Sequence, residues 1–121
     1  MKNKIFVVFA LLFLLPVGCK NPDRYVEIIK TSPYFLTSVT NSEVFDKCFT
    51  TYSLRSYRDK GDGLISVRLD GKYVYNDNPH SVQIYYQFTD SEHWIVTDYI
   101  IDNESESEIM FIYYMALLFN D

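Results

Sequence analysis

Residues 64–101 hold three runs in series whose side chains alternate between apolar and polar. In "LISVRLDGKYVY", Ile65, Val67, Leu69, Tyr73 and Tyr75 fall on one face and Ser66, Arg68, Asp70 and Lys72 on the other. In the next run Val82, Ile84, Tyr86 and Phe88 alternate with Ser81, Gln83, Tyr85 and Gln87, and "WIVTDYII" (94–101) follows. Successive side chains of a strand point to opposite faces, so this pattern specifies strands with one face buried. "NDNPH" and "DSEH" supply turn residues between the runs, and short connections between alternating strands predict an antiparallel meander. "YSLRSY" ahead of the turn signal "KGDG" (60–63) is a candidate fourth strand, and Gly71 is a place for a bulge or bend.

A half-buried sheet needs a layer to cover it. "NPDRYVEIIKTSP" offers Asn21 as a cap, Pro22 at the first helical position and Pro33 as a stop, with Tyr25, Ile28 and Ile29 on one stripe. "TNSEVFDKCF" carries the capping-box pair Thr40 and Glu43, then Val44, Phe45, Cys48 and Phe49 on one side. Ile109–Phe119 is an apolar run preceded by Glu104, Glu106 and Glu108, where negative charge suits a helix N-terminus. It is too short for a membrane span of roughly 20 residues, so it reads as a core helix, with a second membrane contact as the alternative. The expected fold is α+β: two N-terminal helices packed on an antiparallel three- to four-stranded meander, and a C-terminal helix.

The first residues read differently. Lys2 and Lys4 precede the uncharged stretch Ile5–Leu15, and "PVGC" follows, which is the layout of an export signal. "LLPVGC" (14–19) resembles the lipobox of bacterial lipoproteins, in which the chain is cut before the cysteine and the new N-terminus is acylated. Pro16 stands where that family usually has Leu. The resemblance implies a signal peptide over 1–18, a lipidated N-terminus and linker over 19–24, and one α+β domain over 25–121. It implies a membrane partner through lipid on Cys19 and a place in the bacterial cell envelope. Lys20, rather than Asp, resembles lipoproteins sorted to an outer membrane.

A second resemblance covers most of residues 25–118. "VEIIK" (26–30), "VFDKCF" (44–49), "LDGKYVY" (69–75) and "VQIYYQF" (82–88) are similar to a domain found in many small bacterial envelope proteins. The predicted architecture also resembles the beta-lactamase inhibitor protein and the small lipoprotein of the outer-membrane assembly machinery. These likenesses imply a fold, since most of the matching positions are core positions, and they imply no chemistry.

Composition limits the function. Residues 20–72 hold nine Lys/Arg and seven Asp/Glu, whereas residues 73–121 hold nine Asp/Glu and no Lys or Arg. An acidic half repels nucleic acid and anionic headgroups, and would steer a basic protein partner. His80 and His93 fall in predicted connections, beside Asp77 and Glu92. There is no G-x-S-x-G turn, phosphate loop or Cys/His metal spacing, so no catalytic residue, metal or cofactor is expected. With Cys19 acylated, Cys48 is left without a disulfide partner and reads as a small buried hydrophobe.

Two readings follow. One is a non-enzymatic protein-binding module, an inhibitor, immunity or assembly accessory, using the sheet face that carries Arg68, Gln83, Tyr85, Gln87 and, in one phase of the last strand, Trp94 and Val96. In the other phase Trp94 points inward; both phases of "WIVTDYII" are apolar. The alternative is a carrier for a small apolar ligand between helices and sheet. A cavity of several hundred cubic ångströms would favour that second reading.

Overall fold

The computed structural model describes residues 23–120. Cys19, the lipobox and the signal segment 1–18 lie outside them. The elements run α1 (Asp23–Thr31), α2 (Asn41–Cys48), β1 (Thr51–Arg58), β2 (Ile65–Tyr75), β3 (Asn78–Phe88), β4 (Trp94–Ile101), β5 (Glu104–Glu106) and α3 (Glu108–Phe119). The fold is α+β, with two N-terminal helices, an antiparallel meander in the order β1-β2-β3-β4-β5 and a C-terminal helix. The sheet has five strands rather than three or four.

The fifth strand hides in a segment that sequence suggests is a helix lead-in. Asp102 and Asn103 take φ values of 52° and 68°, the two left-handed positions of a type I′ turn, and pair Glu104–Glu106 back onto β4. Asn76 and Asp77 do the same between β2 and β3, with φ 52° and 62°. Asn and Asp tolerate this region better than other side chains, so both hairpins are built from the same chemistry.

The capping box at α2 forms: Thr40 Oγ1 accepts from the Glu43 backbone N–H at 3.3 Å, and Glu43 Oε1 accepts from the Thr40 N–H at 2.8 Å. Between α1 and α2 the strap 32–40 is closed at its base, where Tyr34 N–H donates to Val39 O and Asn41 N–H to Ser32 O. The buried Asn41 side chain also donates to the Ile29 carbonyl at 2.8 Å, which ties the end of α1 to the start of α2.

The three helices cover one sheet face. Tyr25 of α1 packs edge-on against Phe88, Phe45 of α2 against Tyr52, and Phe111 of α3 stacks on Tyr99 at 4.6 Å. Val67, Leu69, Val82 and Ile84 fill the centre of that face. Gly71 carries no bulge: its pairing to Tyr52 and Val82 is regular. A Cβ there would stand 3.2 Å from both Phe49 and Val82, so glycine is what lets the Phe49 ring close on the sheet.

The bulge sits in β4 instead. Asp98 pairs with Tyr85 and Val96 with Tyr86, leaving Thr97 unopposed, so the strand changes phase at that residue. Trp94, Val96, Tyr99 and Ile101 therefore all face the helices, and Ile95, Asp98 and Ile100 face away. α3 buries Phe111, Met115 and Leu118, while Ile112 is half-buried and Ile109 and Tyr113 point to solvent at 78% and 55% exposure. No helix among the described residues is long and apolar enough to cross a membrane.

Candidate functional site

The open sheet face keeps Arg68, Gln83, Tyr85 and Gln87 together, as the alternation predicts. The pairing aligns Arg55, Arg68, Tyr85 and Asp98 in one row across four strands. These side chains largely satisfy one another. Arg68 Nε donates to Asp70 at 2.9 Å and its guanidinium lies 6.0 Å from the Tyr85 ring centre; Gln83 donates to Asp70 and Gln87 to Asp62. Trp94 and Val96, expected on this face in one phase of β4, are on the other. The bulge at Thr97 is the reason, and it removes the aromatic anchor from the expected binding patch.

Trp94 and Val96 line a groove instead. It has a volume of about 530 Å³ and lies between the strap, the inner side of β3 and β4, and the first turn of α3. Its walls are aromatic: Tyr34 and Phe35 from the strap, Tyr86 and Trp94 from the sheet, and Phe111 from α3. The Trp94 ring meets Tyr86 edge-on at 5.2 Å, and its indole N–H donates to Ser32 Oγ at 3.3 Å. That bond holds the tryptophan against the base of the strap. Among the described residues, Glu108 is the one charged residue of the lining.

Two polar groups in this wall are unusual. The hydroxyls of Tyr34 and Tyr99 are shut off from solvent, and neither has a hydrogen-bond partner among the described residues. Tyr99 is 6% exposed. Burial pushes the Tyr99 phenol up to about 12, with the Glu108 charge adding to it, and burial raises Tyr34 and Tyr86 further still. All three hydroxyls stay protonated at neutral pH. A buried hydroxyl without a partner is disfavoured, and native proteins leave few of them.

The strap is a second departure from the ordinary. Phe35 has φ 51°, a conformation rare for a bulky side chain. Tyr34 also lines a smaller hollow of about 260 Å³ between α2 and α3. Sequence reasoning passed over Tyr34, Phe35 and Tyr99 as site residues. The available signal was "SPYFLT" (32–37), two aromatic residues in a connection whose exposed positions ought to be polar.

The remaining chemistry-bearing groups are local. His80 Nδ1 lies 2.7 Å from Asp102 and His93 Nδ1 2.9 Å from Asp90, so the partners are these turn carboxylates rather than Asp77 and Glu92. Cys48 is buried, its thiol pushed up to about 11 by that burial, with Sγ 3.7 Å from the Met115 carbonyl. A thiol so placed is a poor nucleophile. No group of three or more His, Cys, Asp or Glu among the described residues is arranged to hold a metal. Compared with known proteins, the chain matches no family model, no curated protein and no solved structure.

Proposed function

We propose that the chain is a small-ligand-binding lipoprotein of the bacterial envelope, held to a membrane by lipid on Cys19 and carrying an apolar ligand in the strap–sheet groove. The observation that supports this most is the groove itself, about 530 Å³ and walled by aromatic side chains. That volume lies within the roughly 300–1,000 Å³ of small-molecule sites. A chain this rich in bulky aromatics tends to fill its interior, and here seven of them border a hollow instead.

The test is a titration of the full-length chain carrying Cys19→Ser with the neutral dye N-phenyl-1-naphthylamine. Saturable binding of one dye per chain is expected, weakened about tenfold or more by Val96→Trp, which fills the groove. Absence of saturable binding, or equal binding by the filled variant, would overturn the reading.

A second reading keeps the protein-binding module. It draws on the helix-free sheet face, where the Arg55–Arg68–Tyr85 row joins residue types common at binding hot spots. A basic partner would instead meet the acidic margin formed by Asp98, Asp102, Glu104 and Glu106 along β4 and β5. Capture of an envelope protein by the wild-type chain but not by Arg68→Ala or Tyr85→Ala would place the contact on the open face.

A further inference from the structure

We infer that the groove selects a neutral, flat aromatic molecule bearing a hydrogen-bond acceptor oxygen, such as an aryl ketone, and that Tyr34 yields so that this oxygen meets the Tyr34 and Tyr99 hydroxyls. The inference rests on the ligand-binding reading above and narrows it to a chemical class.

The donors come first. Tyr34 and Tyr99 each carry an O–H with no acceptor among the described residues, and burial raises the pKa of both. What they lack is an acceptor, which a hydrocarbon and a cation alike fail to supply. A carboxylate would supply one at the expense of burying a charge. No Lys or Arg among the described residues lines the groove to pair it, and Glu108 at the margin repels it. A neutral oxygen meets both conditions. The rings of Tyr86, Trp94 and Phe111 present flat apolar surface, which suits a planar body attached to that oxygen.

The two hydroxyls are closed off from solvent, so a ligand oxygen reaches them only after something moves. Tyr34 is the side chain placed to do so. It precedes Phe35, whose left-handed backbone is held at a cost by the fold, and it has the 260 Å³ hollow on its other side. The base of the strap is pinned by the Tyr34–Val39 and Ser32–Asn41 backbone bonds. The motion is thus a turn of the Tyr34 side chain, with the strap staying in place.

Equilibrium dialysis of the full-length Cys19→Ser chain against three probes of similar shape tests the inference: 2-acetylnaphthalene, 2-ethylnaphthalene and 2-naphthoate. The ketone should bind about tenfold tighter than the hydrocarbon, the scale of one buried hydrogen bond gained, and the carboxylate weakest. Tyr34→Phe combined with Tyr99→Phe should lower ketone affinity to that of the hydrocarbon. Equal binding of ketone and hydrocarbon by the wild-type chain would overturn the acceptor class while sparing the groove, and tightest binding of naphthoate would overturn neutrality. Saturable binding of none of the three would take down the ligand-binding reading itself. The wild-type comparison decides the matter even where the double variant folds poorly.

Discussion

At Tyr99 one residue serves two opposed demands: its ring stacks on Phe111 in the core, and its hydroxyl finds no acceptor among the described residues. Removing the oxygen should therefore help the fold. Tyr99→Phe is expected to raise the unfolding free energy by about 1 kcal/mol, since an unsatisfied buried polar group costs roughly 1–3 kcal/mol. Urea denaturation measures it, and a loss of stability would mean that the hydroxyl has a partner after all. Gly71 is the opposite case, a position with no room to spare. Gly71→Ala brings a methyl to 3.2 Å from Phe49 and Val82, and overpacking of this kind costs about 1–3 kcal/mol. Asp102 sets a pH dependence. The His80 hydrogen bond, helped by the Ser81 N–H, outweighs burial and lowers its carboxyl below the usual range. A carboxylate depressed in the folded state stabilises above its unfolded pKa, about 3.9, and that contribution is lost as the pH falls through the folded value. Asp102→Asn should then be less stable than wild type at pH 7, with the difference closing on acidification below the ordinary carboxylate range.

Among the elements, β4 and α3 decide what the site is made of. Thr97 shifts the phase of β4, so apolar residues at 94 and 96 and again at 99 and 101 all reach the core side. Alternation in "WIVTDYII" is ambiguous for this physical reason: a bulge inserts one residue, and both phases are used in turn. The regular strands β2 and β3, the α2 capping box and the helix stop at Pro33 were legible because each follows from local chemistry. The strap and β5 were not, since neither carries an apolar period: β5 is three polar residues behind a two-residue turn, and the strap is closed by backbone bonds that leave no pattern in its side chains. The arrangement makes Trp94 a reporter: its emission should be blue-shifted and resist acrylamide, whereas an exposed, readily quenched indole would return it to the open face. α3 is apolar on every side, yet only Phe111, Met115 and Leu118 are buried. Leu118→Ala should destabilise by about 2–5 kcal/mol as a core truncation. Ile109→Ala on the outer side should stay within about 0.5 kcal/mol. Equal costs at the two positions would show that the outward face is covered in the folded protein.

For the whole molecule, the question is how a groove in an acidic domain relates to a membrane. Under the proposed processing, Cys19 is four residues ahead of Asp23, the start of α1. Four residues reach at most about 14 Å, so acyl chains on Cys19 would keep α1 close to the bilayer surface. Two or three chains would hold it there firmly, each buried methylene contributing about 0.8 kcal/mol. The domain itself has little cause to stay: from residue 73 onward it carries nine acidic side chains and no Lys or Arg, which repels anionic headgroups. Attachment should then depend on the lipid alone. Cell fractionation is expected to place the wild-type chain with membranes, and a Cys19→Ser chain whose residues 1–18 are exchanged for an ordinary cleavable export signal in the soluble fraction. Mass spectrometry of the N-terminal peptide should find Cys19 first and acylated. The described lining of the groove begins at Ser32, so dye binding there should be the same for the soluble variant and for the lipidated chain in vesicles. If that exchanged-signal Cys19→Ser chain still sediments with membranes, the anchor is overturned, and the outward apolar side of α3, with Ile109 and Tyr113, is the surface to substitute next.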